Sequence, residues 1–264
     1  MEYVDQLNST IFLAHPPQRI VSLVPSQTEL LYDLGLGDRI VGQTIFCIHP
    51  KKAFKKATKI GGTKKLQIEK IIALQPDLII ANKEENDQAQ IEMLSGLFPV
   101  WISDVVTLDD AFNMMLSIGK LTERESAAQL MVQEIQNAFS KIPPQNTLPK
   151  KVLYVIWYNP IMAVGQNTFI NSVLKSAGFL NVISTPNSRY PEITASEIKE
   201  LQPDVILLSS EPFPFKESHI AYFQSLCPNA TVRLCDGELM SWYGSRMLKA
   251  PPYLESLMND SHPK

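Results

Sequence analysis

Apolar positions along the chain fall into two patterns. Short unbroken runs rich in β-branched residues mark buried strands, and stripes at helical spacing mark the segments between them. Arg19-Ile-Val-Ser-Leu-Val24 reads as the first such strand. Pro25 follows, then Ser26, three residues before Glu29, which is the spacing of a helix-starting capping box. Leu30, Leu31 and Leu34 give that helix its stripe. Gly35 is placed to end it in the left-handed conformation, and Ile40-Val-Gly42 opens a second strand.

Two later segments share one plan. Glu69-Lys-Ile-Ile-Ala-Leu-Gln-Pro76-Asp-Leu-Ile-Ile-Ala-Asn-Lys-Glu84 is an amphipathic helix, a Leu-Gln-Pro-Asp stop and a buried strand ending in a polar loop. Ser196-Glu-Ile-Lys-Glu-Leu-Gln-Pro203-Asp-Val-Ile-Leu-Leu-Ser-Ser-Glu211 repeats that order. A Leu-Gln-Pro-Asp match alone is weak, but helix, turn, strand and terminal Glu in one register are harder to dismiss. The parallel extends to the starts of the halves. Lys151-Val-Leu-Tyr-Val-Ile-Trp157, with a helix near 169–177 that ends at Gly178, mirrors the opening strand and the helix ending at Gly35. The pattern predicts two α/β lobes of related topology.

Between them, 107–142 holds no proline, and Gly119 is its one glycine. Leu108, Ala111, Met115, Ile118, Leu121, Ala128, Met131, Ile135 and Phe139 recur near helical spacing. Thr107 with Asp110 suits an N-terminal cap, and Pro143-Pro144 stops the run. One helix of that span is about 50 Å long. The preferred reading is therefore an α/β fold of two Rossmann-like lobes joined by one long α-helix: an N-terminal lobe at 1–106, a connecting helix at 107–142 and a C-terminal lobe at 143–264. Two helices broken near Gly119 or Thr122 is the alternative.

Composition narrows the function classes. At 264 residues, with 45% hydrophobic and 19% charged, the chain is globular. No apolar run is long enough to span a bilayer. A formal charge of −3 argues against a nucleic-acid binder held by a basic face. Cys47, Cys227 and Cys235 are too few and too widely spaced for a disulfide framework or a zinc ribbon. A Cys227–Cys235 bridge is conceivable, but three buried thiols is the simpler reading. His15, His49, His219 and His262 are scattered, so a three-histidine metal site needs most of them to converge. Met1-Glu-Tyr-Val-Asp5 has no basic start, apolar core or cleavage site. That leaves a cytoplasmic protein or one whose export signal lies upstream.

Catalytic signatures are missing. There is no Walker A loop, Gly-x-Ser-x-Gly or His-Glu-x-x-His, and Gly35-Leu-Gly37 lacks the third glycine of a dinucleotide fingerprint. Weight moves from enzyme to binder, with no catalytic cofactor and no catalytic residue assigned. In open α/β sheets, ligands sit beyond the carboxyl ends of the strands. Those ends carry Ser26, Phe46, Asn82, Trp157, Tyr158, Ser209-Ser-Glu211 and Asp236-Gly237, and all three tryptophans (Trp101, Trp157, Trp242) lie at or near them. Aromatic faces at Phe46, Trp157, Tyr158, Tyr190, Trp242 and Tyr243, with the cations Arg189 and Arg246, suit a large planar or chelated ligand. Cys47 and His49 could ligate a metal, but a buried thiol and a solvated imidazole is the commoner arrangement without a third ligand.

Arg19-Ile-Val-Ser-Leu-Val-Pro-Ser-Gln-Thr-Glu-Leu-Leu31 resembles the first strand and helix of the solute-binding proteins of cobalamin and ferric-siderophore ABC importers, the class with a helical backbone between its lobes. Leu74-Gln-Pro-Asp-Leu-Ile-Ile-Ala81, the long helical stretch and Ser241–Arg246 extend the resemblance over roughly 5–258. It implies a monomeric, non-enzymatic carrier, periplasmic or membrane-anchored, holding a metal chelate between its lobes. It also implies docking on a permease dimer through one glutamate per lobe. Glu69 falls at the first such position. Ser196 falls at the second, with Glu197 beside it. Phe46 and Trp242 match aromatics around the corrin of cobalamin binders, whereas Lys64, Asn82, Met162 and Glu192 stand where those binders have rings. The resemblance thus implies cobalamin narrowly ahead of a ferric siderophore or haem, with a more polar chelate or another corrinoid favoured by the substitutions. Two further classes stay open: a cytoplasmic cofactor binder without a transport role, and an enzyme working through Cys47, His49 or Glu84. The carrier reading leans most on a rigid rod between the lobes.

Overall fold

The computed structural model of the protein describes residues 1–52, 55–143, 148–184 and 188–258. The chain divides into two compact units. Lobe 1 comprises 1–105, 109–135 and 243–246, and lobe 2 comprises 106–108, 136–242 and 247 onward. The division passes through a helix at 135/136, and the chain returns to lobe 1 for four residues near its end. Pro144 and His262 lie outside the described residues.

Lobe 1 opens with a hairpin, β1 (Glu2–Val4) and β2 (Thr10–Phe12). Its main sheet comprises β3 (Ile20–Ser22), β4 (Ile40–Gln43), β5 (Thr58–Lys59), β8 (Leu78–Asn82) and β9 (Val100–Ser103). The order is β5-β4-β3-β8-β9, parallel throughout. Every residue of β3 and of β8 is buried, as parallel strands covered on both faces require. A second hairpin, β6 (Gly61–Gly62) with β7 (Lys65–Leu66), follows the β5 edge. Helices α1 (Pro25–Asp33), α2 (Ile68–Ala73) and α3 (Gln88–Ser95) make the crossovers.

The expected single helix at 107–142 is two: α4 (Leu108–Leu121) and α5 (Glu125–Phe139). The break is built, not frayed. Thr122 Oγ1 donates back to the Ile118 carbonyl at 2.7 Å, Glu123 takes a left-handed φ of 57°, and the Arg124 amide closes on the Gly119 carbonyl at 2.7 Å. Gly119 is what permits the turn, since a Cβ there would stand 2.5 Å from the Ala128 Cβ. Thr122 is fully buried. The unbroken rod is therefore corrected to two helices separated at 122–124, with Gly119 against Ala128 at the break.

Lobe 2 repeats the plan. Its strands are β10 (Lys151–Trp157), β11 (Met162–Ala163), β12 (Leu180–Asn181), β13 (Val205–Ser209) and β14 (Thr231–Cys235). The order is β11-β10-β13-β14, with β12 also on β10. β10, β12, β13 and β14 are parallel, and β11 is antiparallel. Helices α6 (Phe169–Ser176), α7 (Ala195–Leu201), α8 (Glu217–Leu226), α9 (Gly237–Ser241) and α10 (Ala250–Met258) complete it, with a 3₁₀ turn at Ser245–Lys249.

The sequence repeat is structural. Pro76 and Pro203 each follow a glutamine in the left-handed region, Gln75 at φ 46° and Gln202 at φ 45°. Each following aspartate caps the start of a strand in its lobe's main sheet, β3 or β10. Asp77 accepts the amides of Gln18 and Arg19 at 2.7 and 2.8 Å, and Asp204 accepts that of Lys151 at 2.7 Å. Gly35 and Gly178 end α1 and α6 at φ 75° and 74°.

Candidate functional site

In lobe 1 the carboxyl-end loops are held by a polar net. The Asn82 Oδ1 accepts the amides of Glu84 at 2.8 Å and Glu85 at 3.0 Å, while its Nδ2 donates to the Ser103 carbonyl and Oγ. Asn82 is 4% exposed, so it shapes the loop and does not face a ligand. Ser26 is also buried. α1 starts with Val24 as N-cap and no side-chain cap, so the expected Ser26–Glu29 box does not form. The Glu29 carboxylate instead pairs with Arg246, which donates Nε to Oε2 at 2.7 Å and Nη2 to Oε1 at 2.8 Å, each residue being nearly sealed from solvent. That correction removes Arg246 from the cations facing a ligand: its guanidinium neutralises a buried carboxylate of its own lobe. Tyr243, expected to offer a ring face, is 7% exposed and donates its hydroxyl to Glu85 Oε1 at 3.1 Å.

Phe46, unlike Tyr243, is open to solvent. It is 53% exposed, with Ile45 and Ile48 beside it also exposed, in the loop after β4. Its ring lies on Gly62, where a Cβ would come within 3.1 Å of Cε2. Ile45, Phe46 and the hairpin from Gly61 to Gln67 line an open depression of about 650 Å³. Lys64 rises from that hairpin and donates Nζ to the carbonyls of Glu84 and Asn86, the latter at 3.2 Å. Cys47, next to Phe46, points the other way. It is fully buried, with the Thr28 and Thr44 hydroxyls at 3.1 Å from Sγ, and burial pushes its thiol up. A metal or nucleophile role for the Cys47–His49 pair loses its ground, because the sulfur sits in the core.

In lobe 2, Trp157 ends β10 at 38% exposure, edge-on to Phe213 at 5.6 Å. Tyr158 is packed among Phe213, Phe215, His219 and Tyr222, the nearest ring being His219 at 4.9 Å, so it belongs to a side cluster of the core more than to an open face. Arg189 and Tyr190 are half-buried after β12. Trp242 is 8% exposed and donates Nε1 to Glu211 Oε1 at 2.8 Å, the same oxygen that accepts the Ser241 hydroxyl at 2.9 Å. Burial pushes the Glu211 carboxyl up, and these two donors pull it back. Trp101, near a strand end in the sequence, is wholly buried in β9 with its indole N–H on the Val4 carbonyl. Sequence reasoning named Glu211 at a strand end without a role, and it missed Ile45, Ile48 and the Phe213–Phe215 loop. Phe213-Pro-Phe215 after a strand was the one available signal.

The two docking glutamates differ. Glu69 is exposed in the first turn of α2. Glu197 is exposed but closes a capping box on Thr194, whose amide and hydroxyl hold its carboxyl below the usual range. All three cysteines are free and buried, and no helix among the described residues is long and apolar enough to cross a membrane.

The model of the periplasmic binding proteins matches residues 20–223, from β3 through most of α8. The chain belongs to the periplasmic binding protein family. Family members are non-enzymatic components of transport. Among its relatives is the vitamin B12-binding protein of Vibrio parahaemolyticus, 27% identical over 78% of this chain and 76% of that protein. Another is the uncharacterized ABC transporter substrate-binding lipoprotein YvrC of Bacillus subtilis, 29% identical over 77% of this chain and 67% of that protein. A possible iron-binding periplasmic solute-binding protein from Staphylococcus epidermidis has the same fold. Its TM-score is 0.77 at 25% identity, over 93% of this chain and 99% of that one.

Proposed function

We propose that this chain is the solute-binding component of an ABC importer and that its solute is a metal chelate. The observation that carries the reading is the family match from β3 to α8, with a B12-binding relative aligned over three quarters of both chains. The broken rod does not weaken it, because the match does not depend on helix continuity at 122–124. Each lobe offers its own exposed aromatic at a carboxyl-end loop for ligand contact, Phe46 in lobe 1 and Trp157 in lobe 2, and lobe 2 adds the half-buried Arg189 and Tyr190. Ser26, Asn82, Tyr158, Trp242, Tyr243 and Arg246 act behind them, as the framework that fixes the loops. Glu69 docks on the permease directly. Glu197 does so less freely, since its cap must loosen for an arginine to take the carboxylate. The protein works outside the cytoplasmic membrane, in the periplasm or tethered to the membrane surface.

Cobalamin is the first solute to test, given the named relative. A ferric chelate is the second, favoured by the iron-binding neighbour and by Lys64 standing in place of a ring. Calorimetric titration of the purified chain with cyanocobalamin, a ferric hydroxamate and iron protoporphyrin tests the proposal. Saturable one-to-one binding of any of them supports it, and heat from none overturns it.

A further inference from the structure

We propose that Gly62 is a positioning residue for the solute: by carrying no side chain it gives the Phe46 ring its seat on the hairpin of β6 and β7, and so presets the aromatic face that lobe 1 offers a chelate. The inference rests on the reading above that the chain carries a metal chelate and meets it with Phe46. A glycine inside a strand weakens it and commonly marks a close approach. This hairpin has two in a row, and they answer to different needs. Gly61 answers to the backbone. Its φ is 98°, and a Cβ there would run into the Lys65 carbonyl oxygen across the hairpin. Gly62 lies outside the left-handed region, so its backbone accepts an ordinary residue. Among the described residues, and its chain neighbours aside, a Cβ at Gly62 would meet Phe46 and nothing nearer: Cε2 at 3.1 Å, Cζ at 3.9 Å and Cδ2 at 4.0 Å.

The ring cannot yield by moving its backbone. On one side of it, the Ile45 amide donates to the Gly61 carbonyl at 2.9 Å. On the other, Cys47 is fully buried, its amide donates to the Thr44 carbonyl at 3.2 Å, and its carbonyl accepts Gln43 Nε2 at 2.9 Å. The hairpin is held as well. The Gln67 amide donates to the Ile60 carbonyl at 2.8 Å, and the Leu66 amide donates to Gln90 Oε1 at 3.0 Å. A methyl group added at Gly62 is therefore accommodated by rotation of the Phe46 side chain, which at 53% exposure has solvent to turn into. A ring seated in advance loses little freedom when a flat apolar surface lands on it, whereas a displaced ring must first be brought back. That cost falls on affinity and hardly on folding, because so exposed a ring adds little to the core.

The test is a double-mutant cycle on the full chain. The probe is whichever of cyanocobalamin, iron protoporphyrin and a ferric hydroxamate binds the parent most tightly by calorimetry. Gly62→Ala should weaken that binding about fivefold while the urea midpoint stays at or above the parent's. Phe46→Ala should weaken it about tenfold. Adding Gly62→Ala to Phe46→Ala should change nothing further, since no ring is left to displace. Gly96→Ala, at the end of α3 with φ −71° and only ordinary contacts, is the control and leaves affinity alone. Gly61→Ala separates folding from positioning: it should lower the urea midpoint, which Gly62→Ala should not. Unchanged affinity in Gly62→Ala or in Phe46→Ala, an equal loss from Gly62→Ala with and without the ring, or a midpoint that falls as far as in Gly61→Ala overturns the positioning role and leaves the carrier reading standing. A parent that binds none of the three chelates overturns both together.

Discussion

The two lobes carry one motif and anchor their functional ends in different ways. In each, a left-handed glutamine, a proline and a strand-capping aspartate fix the start of an interior strand. Beyond the carboxyl ends the lobes part. Lobe 1 ties its loops with amides and carbonyls around Asn82 and Asn86, and closes on Arg246 with a buried ion pair. Lobe 2 ties its loops with rings around Phe213 and closes on Trp242 with hydrogen bonds to one carboxylate oxygen. Consecutive residues at the return crossing are thus held by unlike chemistry, Trp242 by Glu211 in lobe 2 and Tyr243 by Glu85 in lobe 1. The duplicated part is the scaffold, where backbone geometry dictates residue type. The divergent part is the loops, where side-chain contacts do.

The largest expected difference between the lobes lies in those closures. Arg246→Ala strands the Glu29 carboxylate in a buried site and costs about 3–5 kcal/mol. Trp242→Phe removes one indole N–H from a carboxylate that keeps Ser241, and costs about 1–2 kcal/mol. Urea unfolding of the two variants measures both. Equal losses would erase the asymmetry. Replacing Glu29 and Arg246 together with apolar residues should recover most of the single-variant loss, because the penalty comes from the orphaned charge.

The strand caps come next. Asp77 accepts two amides and Asp204 one, so Asp77→Ala should cost about 2–3 kcal/mol and Asp204→Ala about 1–2 kcal/mol. The ratio matters more than either value, and a larger loss at Asp204 would contradict the bond count.

Glu211 separates the lobes by pH. Its folded carboxyl sits above the ordinary value of 4.5, chiefly through burial. A raised acid favours folding while the native state holds the extra proton. Its contribution is therefore greatest below the unfolded value and is lost as pH rises through the folded one. Glu211→Gln keeps an acceptor for Trp242 and Ser241 and removes the titration. The variant should gain melting temperature relative to the parent as pH rises from about 4.5 towards neutrality. A parallel shift at every pH would show that the proton plays no part.

How far this was legible from the chain depends on who sets the geometry. The Pro-Asp turns, Gly35 and Gly178, and the buried strands were readable because local backbone needs force those residues. The break at 122–124 was not chosen over a continuous helix, because its cause is tertiary: Ala128 packing on Gly119 and Arg124 donating to the Leu34 carbonyl. Glu29 at capping spacing misled for the same reason, its partner being 217 residues away. Among the candidate residues, the exposure of Phe46 and Trp157 agrees with their reading as aromatics in carboxyl-end loops. Asn82, Tyr243 and Arg246 have the same composition signal, yet long-range hydrogen bonds turn them inward, and no local pattern announces that.

The smallest effect tests the duplication itself. A non-glycine residue in the left-handed region costs about 1 kcal/mol or somewhat more, and glycine returns about 0.5–1 kcal/mol through the unfolded chain. Gln202→Gly should therefore raise stability by about 0.5 kcal/mol. Gln75→Gly should give less, near zero, because Gln75 Nε2 donates to the Ile72 carbonyl at 2.9 Å and that bond is lost. The readout is the urea midpoint at unchanged slope. If both substitutions gained equally, the side-chain bond at Gln75 would contribute nothing. If both destabilised by more than about 1 kcal/mol, the turn would depend on something other than its backbone conformation, and the two Leu-Gln-Pro-Asp turns would be alike in sequence for a reason their shared φ does not supply.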